Sequence, residues 1–158
     1  MDLTPYCQGK PLPFDISDNL NDPLNKVTYD IIGAAYEVRK QCGKGLLENY
    51  YESALAYELE LRGHKVERQV LLPAYYKGVE VKDPYRIDLL VDGEIIVELK
   101  SSAYLISQNF SQISTYLWLT KRRIGLLINF SAKDFRPGVW NQECPNYDLG
   151  IVRVIRSK

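Results

Sequence analysis

Two acidic residues and a lysine interrupt the apolar stretch RIDLLVDGEIIVELK, residues 86–100. Its aliphatic residues predict two β-strands joined by an Asp-Gly turn. Because side chains alternate along a strand, Asp88 shares a face with Arg86, and Glu98 shares a face with Lys100. The opposite face of each strand is wholly apolar, so any chemistry of this hairpin belongs to the polar faces.

The length of the connection decides whether the polar side chains meet. A two-residue hairpin at Asp92–Gly93 would set the polar face of one strand beside the apolar face of the other. A three-residue connection, or one bulge, shifts the pairing by one residue and brings Asp88 opposite or diagonal to Glu98. We expect this second register, because it collects the aliphatic side chains on one side of the hairpin.

Carboxylates this close repel each other, and one pKa rises unless a cation lies between them. Oxygen ligands favour a hard cation, Mg²⁺ or Mn²⁺, which also binds phosphate oxygens. Lys100 would position or help deprotonate the attacking water, or stabilise charge on a phosphate in transit, and Arg86 would steady Glu98 or touch a phosphate. This set suits phosphodiester hydrolysis. A salt-bridge cluster at a sheet edge is the alternative that the spacing alone leaves open.

Composition narrows the class of protein. The chain has 158 residues, 46% of them hydrophobic and 25% charged, which predicts a single globular domain over residues 1–158. Twenty basic residues balance twenty acidic ones, so nucleic-acid contact would need a local patch. Three scattered cysteines and one histidine argue against a disulfide framework, a thiolate zinc site and histidine-based catalysis. With no export signal or apolar span, we expect a cytoplasmic protein without a membrane association.

Hydrophobic periodicity predicts the element order α-α-β-β-β-α-β-β after an extended, proline-containing N-terminal arm over residues 1–21. The predicted helices run from Pro23, after an Asp22 cap, to Gly43, and over residues 46–62 and 107–121. The predicted strands cover residues 65–76, 85–91, 94–100, a buried 124–130 and, after a loop over 131–150, a half-exposed edge strand over 151–155. Glu48 lies on the apolar stripe of the second helix and is expected to face inward.

Three blocks of the sequence resemble the GxxExxY proteins, a group within the PD-(D/E)XK nuclease superfamily. The blocks read GLLENYYESALAYELELRGHKVERQVLLPAYYKG, YRIDLLVDGEIIVELKS and QISTYLWLTKRRIGLLINF, and the similarity covers about residues 26–130 and 150–156. The resemblance implies an α/β (α+β) fold with a restriction-endonuclease-like αβββαβ core, a mixed β-sheet flanked by helices. It also implies a Mg²⁺- or Mn²⁺-dependent nuclease acting on DNA, with RNA the less favoured substrate.

The resemblance gives the acidic residues and the lysine specific roles. Asp88 and Glu98 would be metal ligands, and Lys100 would be the motif lysine. Glu48, the acid of the GxxExxY segment that starts at Gly45, would complete the metal site or hold its water.

A second motif of the resemblance lies on the third predicted helix. Gln112 and Tyr116 match the Q-x-x-x-Y motif of RecB-like nucleases, and residues at this spacing share a helix face. They would orient Lys100 or the scissile phosphate. For Tyr116, a core aromatic with its hydroxyl at the surface is the alternative.

Two positions depart from the family pattern. Arg39 stands where members often have histidine, and Ile87 precedes the motif aspartate, so the "PD" of the name is absent. His64 is expected to be an exposed residue after a helix end. A basic set, Arg62, Lys65 and Arg68, forms either a nucleic-acid-facing patch or ordinary surface.

The nuclease is one of three functions that the sequence leaves open. The second is a binding module that recognises nucleic acid or a protein without cutting, and the third is an accessory subunit in an oligomer. A homodimer or a protein partner is compatible with each.

Overall fold

The computed structural model describes residues 23–81, 85–140, 142–143 and 145–156. The predicted arm over residues 1–21 and the predicted cap Asp22 lie outside the described residues. In chain order the elements are α1 (Pro23–Cys42), α2 (Glu48–Leu61), β1 (Val66–Leu72), β2 (Tyr75–Tyr76), β3 (Val79–Glu80), β4 (Tyr85–Val91), β5 (Ile95–Lys100), α3 (Ser107–Thr120), β6 (Ile124–Asn129), β7 (Asp134–Val139) and β8 (Leu149–Ile155).

Six strands form one mixed sheet in the order β1-β4-β5-β6-β8-β7, while β2 and β3 pair separately as a hairpin. The first three strands of the sheet form the predicted antiparallel meander. The chain then crosses through α3 and adds β6 parallel to β5, and β8 follows antiparallel to β6. This order confirms the predicted α+β class and its αβββαβ core.

Helices cover both faces of the sheet. The side chains of α1 and α2 enclose one apolar cluster with one face, and α3 encloses a second cluster with the other. All six residues of β6 are buried, as predicted for a strand covered on both sides, because each alternate side chain meets a helix layer. None of the described helices combines the length and the apolarity that crossing a membrane requires.

The C-terminal part of the sheet differs from the prediction. The prediction of an edge strand over residues 151–155 is wrong, because β8 lies between β6 and β7 and is largely buried. The edge is β7, within a segment predicted as a loop. Pro137 and Gly138 gave the loop signal, and Pro137 is tolerated in β7 because an edge strand has one side without ladder bonds.

The long strand predicted over residues 65–76 is interrupted. Pro73 follows the end of β1 and cannot donate a ladder hydrogen bond, so the strand stops there. The chain then turns back through Lys77 and Gly78, which have φ values of 49° and 79°. Two successive positive φ values are typical of the tight turns that join hairpin strands, and they create the β2–β3 hairpin.

Candidate active site

The strands β4 and β5 separate where their two carboxyl side chains stand. Their ladder runs from Val91 opposite Ile95 to Leu89 opposite Val97, which confirms the predicted three-residue connection. Beyond that point the Asp88 backbone N–H donates to Glu98 Oε1 at 3.0 Å. The Leu99 N–H donates in turn to Asp88 Oδ2 at 2.9 Å.

Each carboxyl group is therefore held by the backbone of the opposite strand. The two carboxyl side chains are also hydrogen-bonded to each other, with Glu98 as the group whose pKa this bond raises. The predicted convergence of Asp88 and Glu98 is confirmed.

Burial makes it unfavourable for both carboxyl groups to be charged. Glu98 is 3% exposed, and desolvation together with the charge of Asp88 raises its pKa to about 9. Desolvation also raises the pKa of Asp88, to which the charge of Glu52 contributes, while the hydrogen bond from Leu99 lowers it. The raised pKa favours the protonated form of Glu98 at neutral pH, because burial penalises its charged form most.

Lys100 lies close enough to act on both acids. It follows Glu98 by two residues in β5, so the two side chains leave the same face of the sheet. Its charge lowers the pKa of Asp88 and of Glu98, although burial outweighs this effect at both. The Phe130 N–H donates to the Lys100 carbonyl at 3.0 Å, which ties the end of β5 to the chain that leaves β6.

The predicted pair on α3 also reaches this place. Gln112 Nε2 donates to the Tyr116 hydroxyl at 3.0 Å, and the Arg86 backbone forms a second hydrogen bond to that hydroxyl. Desolvation and then the charge of Glu98 raise the pKa of Tyr116. Because the charges of Glu98 and Asp88 both raise the pKa of Tyr116, Tyr116 and its partner Gln112 lie near the carboxyl pair. They reach it from the side of the sheet that α3 covers. The ring of Tyr116 is buried in the core, while its hydroxyl makes the contacts beside the carboxyl pair.

Glu48 does not face the protein interior as predicted. It is the first residue of α2 and is exposed, because the first turn extends past the apolar cluster that covers the rest of the stripe. The chain just before Glu48 is attached to the end of β5, because Ser101 Oγ donates a hydrogen bond to the Leu46 carbonyl at 2.5 Å. Glu48 thus starts a helix beside the end of β5, and its part in a metal site stays a prediction.

The segment before α2 is held by hydrogen bonds from the side chains of Ser131 and Tyr51, in addition to the Ser101 bond. Gly45, whose φ is 92°, donates its N–H to Ser131 Oγ at 2.9 Å. The hydroxyl of Tyr51 donates to the Gly43 carbonyl at 2.7 Å and accepts from the Leu46 N–H at 3.2 Å. The glycine and tyrosine of the GxxExxY segment therefore shape and hold the loop that presents its glutamate.

A polar network beside Asp88 was missed by sequence reasoning. Glu52, one helical turn after Glu48, is 7% exposed and accepts hydrogen bonds from Arg68 at 3.1 and 2.9 Å. Gln69 Nε2 donates to the second oxygen of Glu52 and lies 3.4 Å from Asp88 Oδ1. Glu52 is thus the helical acid nearest to Asp88 in this network. The sequence feature that could have predicted Glu52 as a site residue is its position one helical turn after Glu48, on the same face of the helix.

The basic set that the sequence left open is paired with acids. Arg68 binds Glu52, Arg62 lies 3.8 Å from Glu58 and Lys65 lies 3.5 Å from Glu67. These pairings favour the ordinary-surface interpretation over a patch that faces nucleic acid.

Comparison with known families agrees with this geometry. The family model described as the PD-(D/E)XK nuclease superfamily matches residues 25–141, which include both carboxyl groups, Lys100 and the α3 pair. The chain belongs to the PD-(D/E)XK nuclease superfamily. Members of this superfamily are typically phosphodiester hydrolases and are commonly metal-dependent. No curated protein and no solved structure matches the chain significantly.

The residues of this candidate site match a hard cation in donor type. Asp88 and Glu98 offer carboxylate oxygens, the ligands that Mg²⁺ and Mn²⁺ prefer. Burial raises the pKa of both groups, and the charge of a bound cation would oppose that effect. Within the described part of the chain, no group of three or more His, Cys, Asp or Glu side chains is arranged to hold a metal ion. The match to a hard cation therefore depends on Asp88 and Glu98 alone among the described side chains of these types.

Proposed function

We propose that this chain is a nuclease dependent on Mg²⁺ or Mn²⁺ that hydrolyses phosphodiester bonds in DNA, with RNA the less favoured substrate. The observation that carries the proposal is the pair of the half-buried Asp88 and the buried Glu98, in which each carboxyl group accepts a hydrogen bond from the opposite strand. A divalent cation would compensate the charge that burial disfavours. On the blocks quoted above, we also assign the chain to the GxxExxY group.

Asp88 and Glu98 would hold the cation, and Glu48 is the candidate for a further ligand. When bound, the cation supplies Lewis-acid chemistry, which makes water more acidic and offsets negative charge on the phosphate. Lys100 shares a face with Glu98 and would orient the attacking water or stabilise the charge that develops on the phosphate. Its influence on the pKa of both acids supports this role.

The neighbouring polar groups would position the substrate. Gln112 is exposed and keeps a second amide N–H after its bond to Tyr116, which it would offer to the phosphate or use to orient Lys100. The raised pKa of Tyr116 keeps its hydroxyl protonated, so it remains a donor. Arg86 is exposed and carries a guanidinium suited to two hydrogen bonds with a phosphate.

A nuclease assay with variants of Asp88 and Lys100 tests the proposal. Wild type, Asp88→Asn and Lys100→Ala are compared on single-stranded, duplex and branched DNA and on RNA, with Mg²⁺, with Mn²⁺ and with a chelator. We expect metal-dependent cleavage by wild type and a loss of at least about 100-fold in each variant, the scale of removing a group that acts in the transition state. Asp148→Asn, which changes an exposed carboxylate, should cleave like wild type.

Equal cleavage by wild type, Asp88→Asn and Lys100→Ala would refute the assignment. Titration calorimetry gives a second readout, because heat of Mn²⁺ binding should be present in wild type and lost in Asp88→Asn. A binding module without catalysis would instead show salt-sensitive nucleic-acid binding that needs no metal.

A further inference from the structure

Three exposed tyrosines stand at the end of the sheet where β4 begins. Tyr75, Tyr76 and Tyr85, here called the tyrosine rim, are 67%, 68% and 46% exposed. The first two belong to the β2–β3 hairpin, which is closed at its base by the Val81 N–H bond to the Ala74 carbonyl at 2.8 Å. Rings of this size at such exposure leave apolar area in contact with water.

The rim is connected to the candidate site by direct contacts. Tyr85 packs edge-on against Tyr116, with ring centroids 5.8 Å apart. The charge of Glu98 raises the pKa of Tyr116, so Tyr116 lies near the carboxyl pair. Tyr85 precedes Asp88 by three residues in β4 and pairs with Leu72 of β1. Tyr75 follows Leu72 by three residues, so the hairpin tyrosines leave the sheet next to Tyr85. A strand that leaves the carboxyl pair along β4 would meet these rings first.

Charge balance indicates how this protein would gain affinity for a nucleic acid. The sequence has a formal net charge of +0, and Arg62, Lys65 and Arg68 are paired with acids. Phosphate neutralisation, which supplies most non-specific affinity for duplex DNA, would therefore need a local basic patch, which these three residues do not offer. Stacking of bases on aromatic side chains is the other common source of affinity, and it requires bases that are not already stacked in a duplex.

The residues around the rim favour a nucleic acid over a protein as its occupant. Lys77 Nζ lies 5.5 Å from the centroid of the Tyr76 ring. The exposed Arg86 follows Tyr85 in β4 and leaves the strand on the side of Asp88. A cation beside an aromatic ring, and a second cation beside the carboxyl pair, match a strand that offers both bases and phosphates. Glu80 pairs with Tyr75 in the hairpin, and its negative charge would repel a phosphate there. We give more weight to the ring contact that links Tyr85 to Tyr116 beside the carboxyl pair.

On these grounds the geometry points to a single-stranded or unpaired stretch of nucleic acid as the substrate, with its bases stacked on Tyr75, Tyr76 and Tyr85. This inference rests on the proposed nuclease function, since that function places a phosphate at Asp88 and Glu98. It adds a binding site and a substrate class, namely strands whose bases are free.

Binding in a metal-free buffer tests the inference apart from cleavage. The probes are a fluorescein-labelled single strand of about 12 nucleotides, within the range of known single-strand sites, its blunt duplex, and a strand of equal length with abasic sites at alternate positions. Fluorescence anisotropy is measured with wild type, Tyr75→Ala, Tyr76→Ala and Tyr76→Phe. Tyr57→Ala is the matched control, because Tyr57 is 64% exposed on α2 and outside the rim.

We expect wild type to bind the single strand at least about 5-fold more tightly than the abasic strand or the duplex, the lower limit for one stacked base. Tyr75→Ala and Tyr76→Ala should each lose about 5-fold or more on the single strand, whereas Tyr76→Phe and Tyr57→Ala should bind like wild type. Thermal unfolding of every variant should match wild type, since these side chains are exposed.

Other outcomes overturn the inference. Equal binding of the three probes, or no loss in the alanine variants, would exclude stacking on the rim even if the protein cleaves duplex DNA with Mg²⁺. A wild-type dimer that dissociates in Tyr75→Ala, seen by light scattering, would identify the rim as a protein contact. Stacking without any cleavage would sink the nuclease proposal and leave the binding site standing.

Discussion

At the scale of single residues, Glu98 links the acidity of the solution to the stability of the fold. Its pKa is about 9 in the folded protein against an ordinary value of 4.5. Between these values the folded chain keeps a proton that the unfolded chain has released. Stability therefore falls as the pH rises through this window, because the unfolded state binds fewer protons than the folded state.

Replacing Glu98 by Gln should remove this dependence. The amide keeps an oxygen for the Asp88 N–H and a donor for the Asp88 carboxylate, so its fold should be unchanged. In chelator, we expect similar free energies of unfolding for Glu98→Gln and wild type near about pH 5, and a growing advantage for the variant toward about pH 8.5, with a ceiling of about 1.4 kcal/mol per pH unit.

Urea unfolding across that pH range measures the effect. Glu60→Gln, a change at an exposed acid of α2, serves as the control and should follow the wild-type slope. Parallel curves for Glu98→Gln and wild type would contradict the assigned burial effect.

Residue chemistry was predictable where it follows from strand alternation. Asp88, Glu98 and Lys100 could be placed together because a three-residue connection leaves only one register for the hairpin. Glu52 and Gln69 could not, since their meeting depends on the rotation of α2 over the sheet and on the φ of 52° at Gln69. The exposure of Glu48 was missed because periodicity gives a direction around the helix axis and not the extent of the core along it.

At the scale of elements, the loop between α1 and α2 depends on one hydroxyl group. Tyr51 bonds the Gly43 carbonyl and the Leu46 N–H, while its ring stacks on Phe130 with centroids 4.5 Å apart. The ring belongs to the core, so Tyr51→Phe would keep the packing and leave two backbone groups without their partner.

We expect Tyr51→Phe to lower the free energy of unfolding by about 1–3 kcal/mol, because two hydrogen bonds of about 0.5–1.5 kcal/mol each are lost. Hydrogen exchange should speed up at Leu46. Tyr57→Phe, on the same helix with an exposed ring, is the matched control and should change neither quantity. Unaltered exchange at Leu46 in Tyr51→Phe would show that the serine contacts alone hold the loop.

Element type was predictable where a segment had a clear period, as in α1 and α3, or was a continuous apolar run, as in β6. The prediction failed at β7 because its Pro and Gly mimic a loop, and only pairing with β8 makes it a strand. Once β7 was missed, β8 could only be assigned to the edge of the sheet.

At the scale of the whole molecule, His64 joins three parts that are distant in sequence. Its Nε2 lies 2.7 Å from Asp30 of α1, and its Nδ1 lies 2.6 Å from Asp92 in the β4–β5 turn. The prediction of an exposed residue is wrong, because only 12% of its side chain is exposed. Burial lowers the pKa of His64, but the hydrogen bonds and charges of the two aspartates outweigh burial and raise it.

Because the folded pKa is raised, His64 stabilises the fold fully below its unfolded pKa, and this contribution is lost as the pH rises through the folded pKa. We expect wild type to exceed His64→Gln by about 1 kcal/mol near about pH 6, a value kept small because both aspartates are partly exposed. The difference should shrink by about pH 8.5.

Urea unfolding of both proteins at the two pH values measures this difference. Lys65→Gln removes a neighbouring cation that is 76% exposed, and its effect should not vary over this range. A His64→Gln deficit that stays constant with pH would exclude a charged His64 bridge.

The two margins of the six-strand sheet have one consequence for association between molecules. At one margin, β1 contains Gln69 with its left-handed backbone, and at the other, β7 contains Pro137, which has no N–H to give. An incoming strand would meet an irregular or incomplete row of hydrogen-bonding groups on either side. We expect these two irregularities to disfavour edge-to-edge pairing of sheets between molecules.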